Sequence, residues 1–173
     1  MSEALQALYE GDAARARRLL PPDGELSVFE AAAFGRDERL DEILHDDPAQ
    51  AHAFSRDGFT ALHLAVFGRQ ERAARVLLDA GADPNVLATS SFAPVPPLGT
   101  AAFVRSMPLA RLLLDHGADP NRPGEGGFTA LHAAAQNGDE ELARLLLERG
   151  ADRSLAADDG RRPADFGLAD LFA

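Results

Sequence analysis

The chain of 173 residues has no cysteine and no lysine, and all 17 of its basic side chains other than histidine are arginines. Without cysteine it cannot form thiolate nucleophiles, zinc–thiolate sites, iron–sulfur clusters or disulfides. Without lysine, Schiff-base chemistry and the lysine of a phosphate-binding P-loop are also excluded. The exclusive use of arginine is typical of a GC-rich genome and indicates a bacterial source.

Positive charge and long apolar runs are scarce as well. The net charge is −11, whereas proteins that bind nucleic acid need a basic footprint, so we expect no nucleic-acid partner. No stretch approaches the roughly 18 apolar residues of a membrane span, and the first turns contain Glu3, Glu10 and Asp12 instead of the apolar core of a signal peptide. These absences predict a soluble cytoplasmic protein, which its acidity keeps monomeric.

What the chain does contain is a segment that recurs at a fixed distance. Residues 58–65 (GFTALHLA) return as residues 127–134 (GFTALHAA), and each copy continues to a Leu-rich run and then to Gly-Ala-Asp. Alignment on the threonine of the motif gives the positions Ser27, Thr60, Pro96, Thr129 and Arg162, which are spaced 33, 36, 33 and 33 residues apart. A period of this length predicts a stack of small units, none of which buries its apolar surface alone.

Within a unit the pattern predicts two helices joined by a turn. Thr60 and Thr129 are suited to cap a first, alanine-rich helix, and a turn near Gly68 or Gly138 leads to a second helix with an apolar stripe. Leucines of the second helices should be buried where these helices meet: Leu77, Leu113 and Leu146. Equivalent positions of the first helices should recur at Phe29, Leu62, Leu98 and Leu131. Left-handed glycines should end the second helices at Gly81, Gly117 and Gly150.

These linked elements resemble the ankyrin repeat, in which a β-turn finger precedes two antiparallel helices. The resemblance implies an all-α solenoid of stacked helix-turn-helix repeats with short β-turn fingers. We predict a single domain over 1–173, with an N-terminal helical cap at 1–23, repeats at 24–56, 57–89, 90–125 and 126–158, and a C-terminal half-repeat at 159–173. Some positions depart from the family pattern, since Ala61 and Ala130 replace its proline and residues 96–99 (PPLG) lack both threonine and histidine.

The resemblance also implies a recognition surface. In ankyrin-type arrays this surface is the concave face, which is made by the residue before the threonine, by the finger tip and by the end of the first helix. Transferred by offset, these positions are Phe34, Arg56, Phe59, Phe67, Phe92, Val95, Phe103, Val104, Glu125, Phe128, Arg161, Gln136 and Asn137. Exposed apolar patches mark interaction sites and aromatic residues are favoured as anchors. The alternative is that several of these rings pack between neighbouring repeats and only stabilise the stack.

The 36-residue spacing marks one finger as unusual. Three extra residues fall within 86–95 (VLATSSFAPV), which also lacks the Asp-Gly turn of its neighbours. Longer loops are thermodynamically inexpensive and often carry binding residues. The finger is therefore either part of the recognition surface or the product of neutral drift in a surface loop.

Histidine offers the remaining opportunities for chemistry. His63 and His132 match the structural histidine of the ankyrin motif, which hydrogen-bonds the neighbouring turn, and the motif places no nucleophile beside them. His45 and His52 lie near Asp46 and Asp47 but match no metal-ligand spacing. We therefore predict no catalytic residue, no metal and no cofactor.

The predicted function is non-covalent, non-enzymatic protein binding through the recognition surface, as an adaptor with a protein partner. Two alternatives stay open. The phenylalanines could instead join two copies of the chain as a homodimer, or the His45 and His52 region could support metal binding or catalysis.

Overall fold

The computed structural model describes residues 2–90 and 94–172. The chain divides after Asp83 into two compact units, Met1–Asp83 (unit 1) and Pro84–Ala173 (unit 2). The described residues form no β-sheet; Phe54 and Thr60 share an isolated antiparallel bridge. The predicted all-α, ankyrin-type fold is confirmed.

Both units are built from pairs of short helices. Unit 1 contains α1 (Glu3–Tyr9), α2 (Ala13–Arg18), α3 (Val28–Phe34), α4 (Asp37–Asp46), α5 (Ala61–Phe67) and α6 (Glu71–Asp79), with 3-10 turns at Asp23–Glu25 and Pro48–His52. Unit 2 contains α7 (Pro97–Phe103), α8 (Met107–Asp115), α9 (Ala130–Gln136), α10 (Glu140–Glu148) and α11 (Ala169–Phe172), with 3-10 turns at Glu125–Gly127 and Pro163–Asp165. Odd-numbered helices up to α9 are the first helices of their pairs, and the even-numbered ones are the second helices.

The helices begin where the repeated motif predicts. The residue immediately before each of four first helices, and before the 3-10 turn at Pro163–Asp165, is the one aligned with the threonine of the motif: Ser27, Thr60, Pro96, Thr129 and Arg162. Ser27 and Glu30 form a reciprocal capping box, as do Thr60 and His63, so that backbone N–H groups at these helix starts have acceptors. The periodic motif is thus a set of helix starts.

Neighbouring pairs pack first helix to first helix and second helix to second helix. In unit 1, α3 lies against α5 and α4 against α6; in unit 2, α7 lies against α9 and α8 against α10. Leu77, Leu113 and Leu146 of the second helices are fully buried, as predicted. Burial of each such side chain stabilises its unit by about 1.5–3 kcal/mol.

The ends of the first helices approach each other closely. A Cβ atom at Gly68, just after α5, would clash with the carbonyl oxygen of Ala33 in α3. The equivalent position in unit 2 is Asn137, whose Nδ2 donates to the carbonyl oxygen of Ala102 at 3.2 Å. The carbonyl group of Ala33 in unit 1 is therefore approached closely by the glycine backbone. The equivalent carbonyl group of Ala102 in unit 2 accepts a hydrogen bond from a side chain instead.

Candidate functional site

The predicted recognition residues of unit 1 are partly covered by a side chain that the motif analysis did not select. The ring of Tyr9, the last residue of α1, has its centroid 5.9 Å from that of Phe59 and 5.5 Å from that of Phe67. Phe59 is only 8% exposed and also packs edge-on against His63, at 6.0 Å between centroids. Phe59 is thus a packing residue of unit 1 and does not present a free ring.

The hydroxyl of Tyr9 is fixed at its far end. It donates a hydrogen bond of 2.8 Å to Oδ2 of Asp57, which lies 48 residues further along the chain. Burial raises the pKa of the Tyr9 phenol well above its ordinary value, and the hydrogen bond and negative charge of Asp57 raise it further. Tyr9 is therefore a neutral donor at physiological pH.

The remaining predicted residues of unit 1 are more accessible. Arg56 is exposed at the finger beside Asp57, while Phe34 and Phe67 are half-buried at the ends of α3 and α5. A signal for Tyr9 was present in the sequence, because it ends its seven-residue helix at the position that Phe34 and Phe67 occupy in theirs.

In unit 2 the equivalent helix end is open. Phe103, the last residue of α7, is 70% exposed. The next residue, Val104, is 9% exposed and packs inward, so the predicted pair separates into an exposed ring and a core residue. The hydrogen bond from Asn137 to Ala102 brings the end of α9 beside the end of α7. At the end of α9, Gln136 is exposed and Asn137 is half-buried.

The finger residues of unit 2 belong to an aromatic cluster. Phe128 lies 4.9 Å from Phe166 and 5.1 Å from His132 between ring centroids. The guanidinium carbon of Arg161 lies 4.2 Å above the centroid of Phe166, a cation–π geometry. Phe128 is therefore half-buried, while Glu125 in the same finger is exposed.

His132 has the structural role that was predicted for it. Nδ1 lies 3.2 Å from the backbone N of Thr129 and accepts from it, so the other ring nitrogen carries the proton and donates to the carbonyl oxygen of Arg161 at 3.3 Å in the next turn. Desolvation lowers the pKa of His132 below its ordinary value, although the hydrogen bond to Arg161 and the charge of Asp159 oppose this. A neutral imidazole whose two nitrogens are both hydrogen-bonded to the backbone has a structural role.

The unusual finger is only partly described. Phe92 lies outside the described residues. Val95 is half-buried, and its carbonyl oxygen accepts a hydrogen bond of 3.1 Å from the backbone N–H of Ala88. His45 and His52 are both exposed, and across residues 2–90 and 94–172 no three His, Cys, Asp or Glu side chains are grouped to hold a metal ion.

Comparison with known families agrees with this geometry. Residues 57–88 match the ankyrin repeat, and residues 100–147 match a family model that describes ankyrin repeats in many copies. The chain is an ankyrin-repeat protein. None of the curated proteins with which it was compared matches it. Ankyrin repeats are generally protein–protein interaction modules and are typically non-enzymatic. No helix in the described part of this ankyrin-repeat chain has both the length and the apolar character needed to cross a bilayer.

Proposed function

We propose that the chain is a cytoplasmic, non-enzymatic adaptor that binds a protein partner through the ends of its first helices and its fingers. In unit 2 the centre of this surface is formed by Phe103, Gln136 and Asn137, which we name the Phe103 surface. Glu125, Phe128 and Val95 are proposed to contribute from the fingers of the same unit. In unit 1 the proposed contributors are Phe34, Arg56 and Phe67, while Phe59 and Val104 support their units from within.

The observation that carries this proposal is the exposure of Phe103. A phenylalanine that is 70% exposed leaves apolar surface in water, and burying it against a partner would recover most of its transfer free energy, about 1.5–3 kcal/mol. Gln136 and Asn137 give the ring a polar border, which is the arrangement of an interface anchor and its rim.

The mechanism is display by a preformed surface. Phe103 sits at the end of a helix whose neighbour is held by the hydrogen bond from Asn137 to Ala102. The backbone under the ring is therefore ordered before binding, and little backbone entropy is lost on association. No covalent step is involved.

Capture from a lysate of the source organism tests the proposal. The wild-type chain should retain one or more proteins that Phe103→Glu loses by at least about tenfold, the loss expected of an anchor worth about 2 kcal/mol or more. The matched control is Phe54→Glu, because Phe54 is also exposed, at 44%, but lies before the helix of its repeat. Equal capture by both variants would contradict the proposal.

Phe103 also offers a specific alternative, since an exposed ring can join two copies of the chain. Sedimentation velocity over a wide concentration range distinguishes the two functions. A dimer that Phe103→Glu dissociates would favour self-association, whereas a monomer at all concentrations favours the adaptor.

A further inference from the structure

In unit 1 three side chains surround the ring of Tyr9, and we call them the tyrosine pocket: Asp57, Phe59 and Phe67. The ring of Phe59 packs tilted and that of Phe67 edge-on against the phenol, with centroids 5.9 and 5.5 Å away. Oδ2 of Asp57 closes the far end at 2.8 Å from the hydroxyl oxygen. An apolar slot that ends in a hydrogen-bond acceptor is complementary to a phenol.

The acceptor makes the pocket selective for tyrosine over phenylalanine. The phenol donates a hydrogen bond to Oδ2 of Asp57. The other carboxylate oxygen, Oδ1, is buried and has no hydrogen-bond partner in the described part of the chain. A phenylalanine ring would fill the slot but leave Oδ2 without its donor. Sites built to hydrogen-bond a hydroxyl discriminate strongly against analogues that lack it, because the buried polar group is then unpaired.

The segment that delivers Tyr9 is attached to the rest of unit 1 mainly through α1. Helix α1 buries Ala4, Leu5 and Ala7, but it packs chiefly against α2 and only lightly against α3, and α2 (Ala13–Arg18) buries Ala16 alone. A seven-residue helix is too short to be stable without packing. The α1–α2 pair can therefore open at a lower free energy than the complete unfolding of unit 1 requires.

We propose that the tyrosine pocket is a binding site for a tyrosine side chain of the protein partner, which Tyr9 occupies in the free chain and vacates on binding. This inference rests on the proposed function in that the incoming phenol belongs to a protein. Tyr9 then acts as an internal competitor. The apparent affinity of the pocket is reduced by the small fraction of molecules in which Tyr9 has left it.

The test uses the full chain and a small ligand, N-acetyl-L-tyrosinamide, with N-acetyl-L-phenylalaninamide as the matched control ligand. Binding is followed through the backbone amide NMR shifts of Phe59 and Phe67. The Tyr9→Ala variant should bind the tyrosine amide at least about tenfold more tightly than the wild-type chain does, because its competitor is gone. It should also prefer the tyrosine amide over the phenylalanine amide by at least about tenfold.

Two variants guard against a trivial outcome. Tyr9→Leu keeps an apolar side chain on α1 while leaving the Asp57 end open, and it replaces Tyr9→Ala if the latter does not fold. Asp57→Asn in the Tyr9→Ala background should reduce the preference for the tyrosine amide. Equal affinities of the folded variant and the wild type for the tyrosine amide, or equal affinities of the variant for both amides, would overturn the inference.

The result is separable from the proposed function. The ligand is a single amino-acid derivative, so its binding needs no protein partner. Phe103→Glu should leave its binding unchanged. Loss of protein capture by Phe103→Glu together with no pocket in Tyr9→Ala would refute this inference and leave the adaptor function intact.

Discussion

The two units place aromatic residues at the same position of the repeat and give them different environments. In unit 1 the last residues of the first helices are Tyr9, Phe34 and Phe67, and Tyr9 covers Phe67. In unit 2 the last residues are Phe103 and Gln136, and Phe103 is 70% exposed. The position in the repeat determines the backbone site that carries the side chain. Whether that side chain is covered depends on the residues packed around it, as the covering of Phe67 by Tyr9 shows.

The hydroxyl of Tyr9 explains why unit 1 is closed. A long ring that ends in a donor can reach Asp57 and be held there. Gln136, at the equivalent position in unit 2, has no ring and is itself exposed. At these helix ends unit 1 has therefore buried part of its aromatic surface, whereas in unit 2 the ring of Phe103 is left exposed.

The largest expected effect comes from emptying the core of either unit. Leu77→Ala in unit 1 and Leu113→Ala in unit 2 should each lower the free energy of unfolding by about 2–5 kcal/mol, since both side chains are fully buried. Chemical denaturation measures the loss, and amide hydrogen exchange should show each change in its own unit. Leu114→Ala is the control: because Leu114 is only half-buried, this substitution should lower the free energy of unfolding by less. A loss below about 1 kcal/mol at Leu113 is incompatible with a core role.

The second effect contrasts the two helix ends directly. Tyr9→Ala removes a ring packed on two others and a hydrogen bond to a carboxylate, so it should lower the free energy of unfolding by about 2–4 kcal/mol. Phe103→Ala should change it by less than about 0.5 kcal/mol because the ring is exposed. Thermal unfolding of the two variants side by side is the measurement. Equal losses would show that Phe103 packs in solution.

Sequence reasoning could predict what is local and periodic. The helix starts, the buried leucines and the left-handed glycines Gly81, Gly117 and Gly150, with φ of 91°, 85° and 92°, all follow from patterns within one repeat. The covering of Phe67 could not be predicted in the same way. It depends on a contact between Tyr9 and Asp57 across 48 residues, and no period relates those two positions.

The exposure of each phenylalanine ring could not be predicted from the repeat pattern either. Phe34, Phe67 and Phe103 are the same residue at the same offset, and only the neighbouring side chains distinguish the half-buried rings from the exposed one. The same holds for Val104, which follows Phe103 but faces inward. A transferred list of recognition positions therefore identifies backbone sites and leaves the exposure of their side chains to be determined.

A third contrast concerns the carbonyl groups at the helix ends. Gly68→Ala places a Cβ against the carbonyl oxygen of Ala33, and separating α3 from α5 to admit it should cost about 1–3 kcal/mol. In unit 2, Asn137→Ala removes only the hydrogen bond to Ala102, a loss of about 0.5–1.5 kcal/mol. Urea denaturation of both variants checks the order of the two effects. A larger loss at Asn137 would contradict the proposed close approach in unit 1.

The smallest expected effect is a dependence of the stability of unit 2 on pH. The pKa of His132 is lowered in the folded chain, so folding favours the neutral imidazole, whose Nδ1 accepts from the Thr129 N–H. Its contribution to stability is fully present above the unfolded pKa of about 6.5 and declines as the pH falls below that value towards the lower folded pKa.

Amide hydrogen exchange around α9, measured from pH 7.5 to 5 and corrected for intrinsic rates, should show protection that declines with pH. His132→Gln is the control, because glutamine at the third position of the helix can accept the same backbone N–H but does not titrate. The decline should be weaker in that variant. An identical pH dependence in both proteins would assign the effect to groups other than His132.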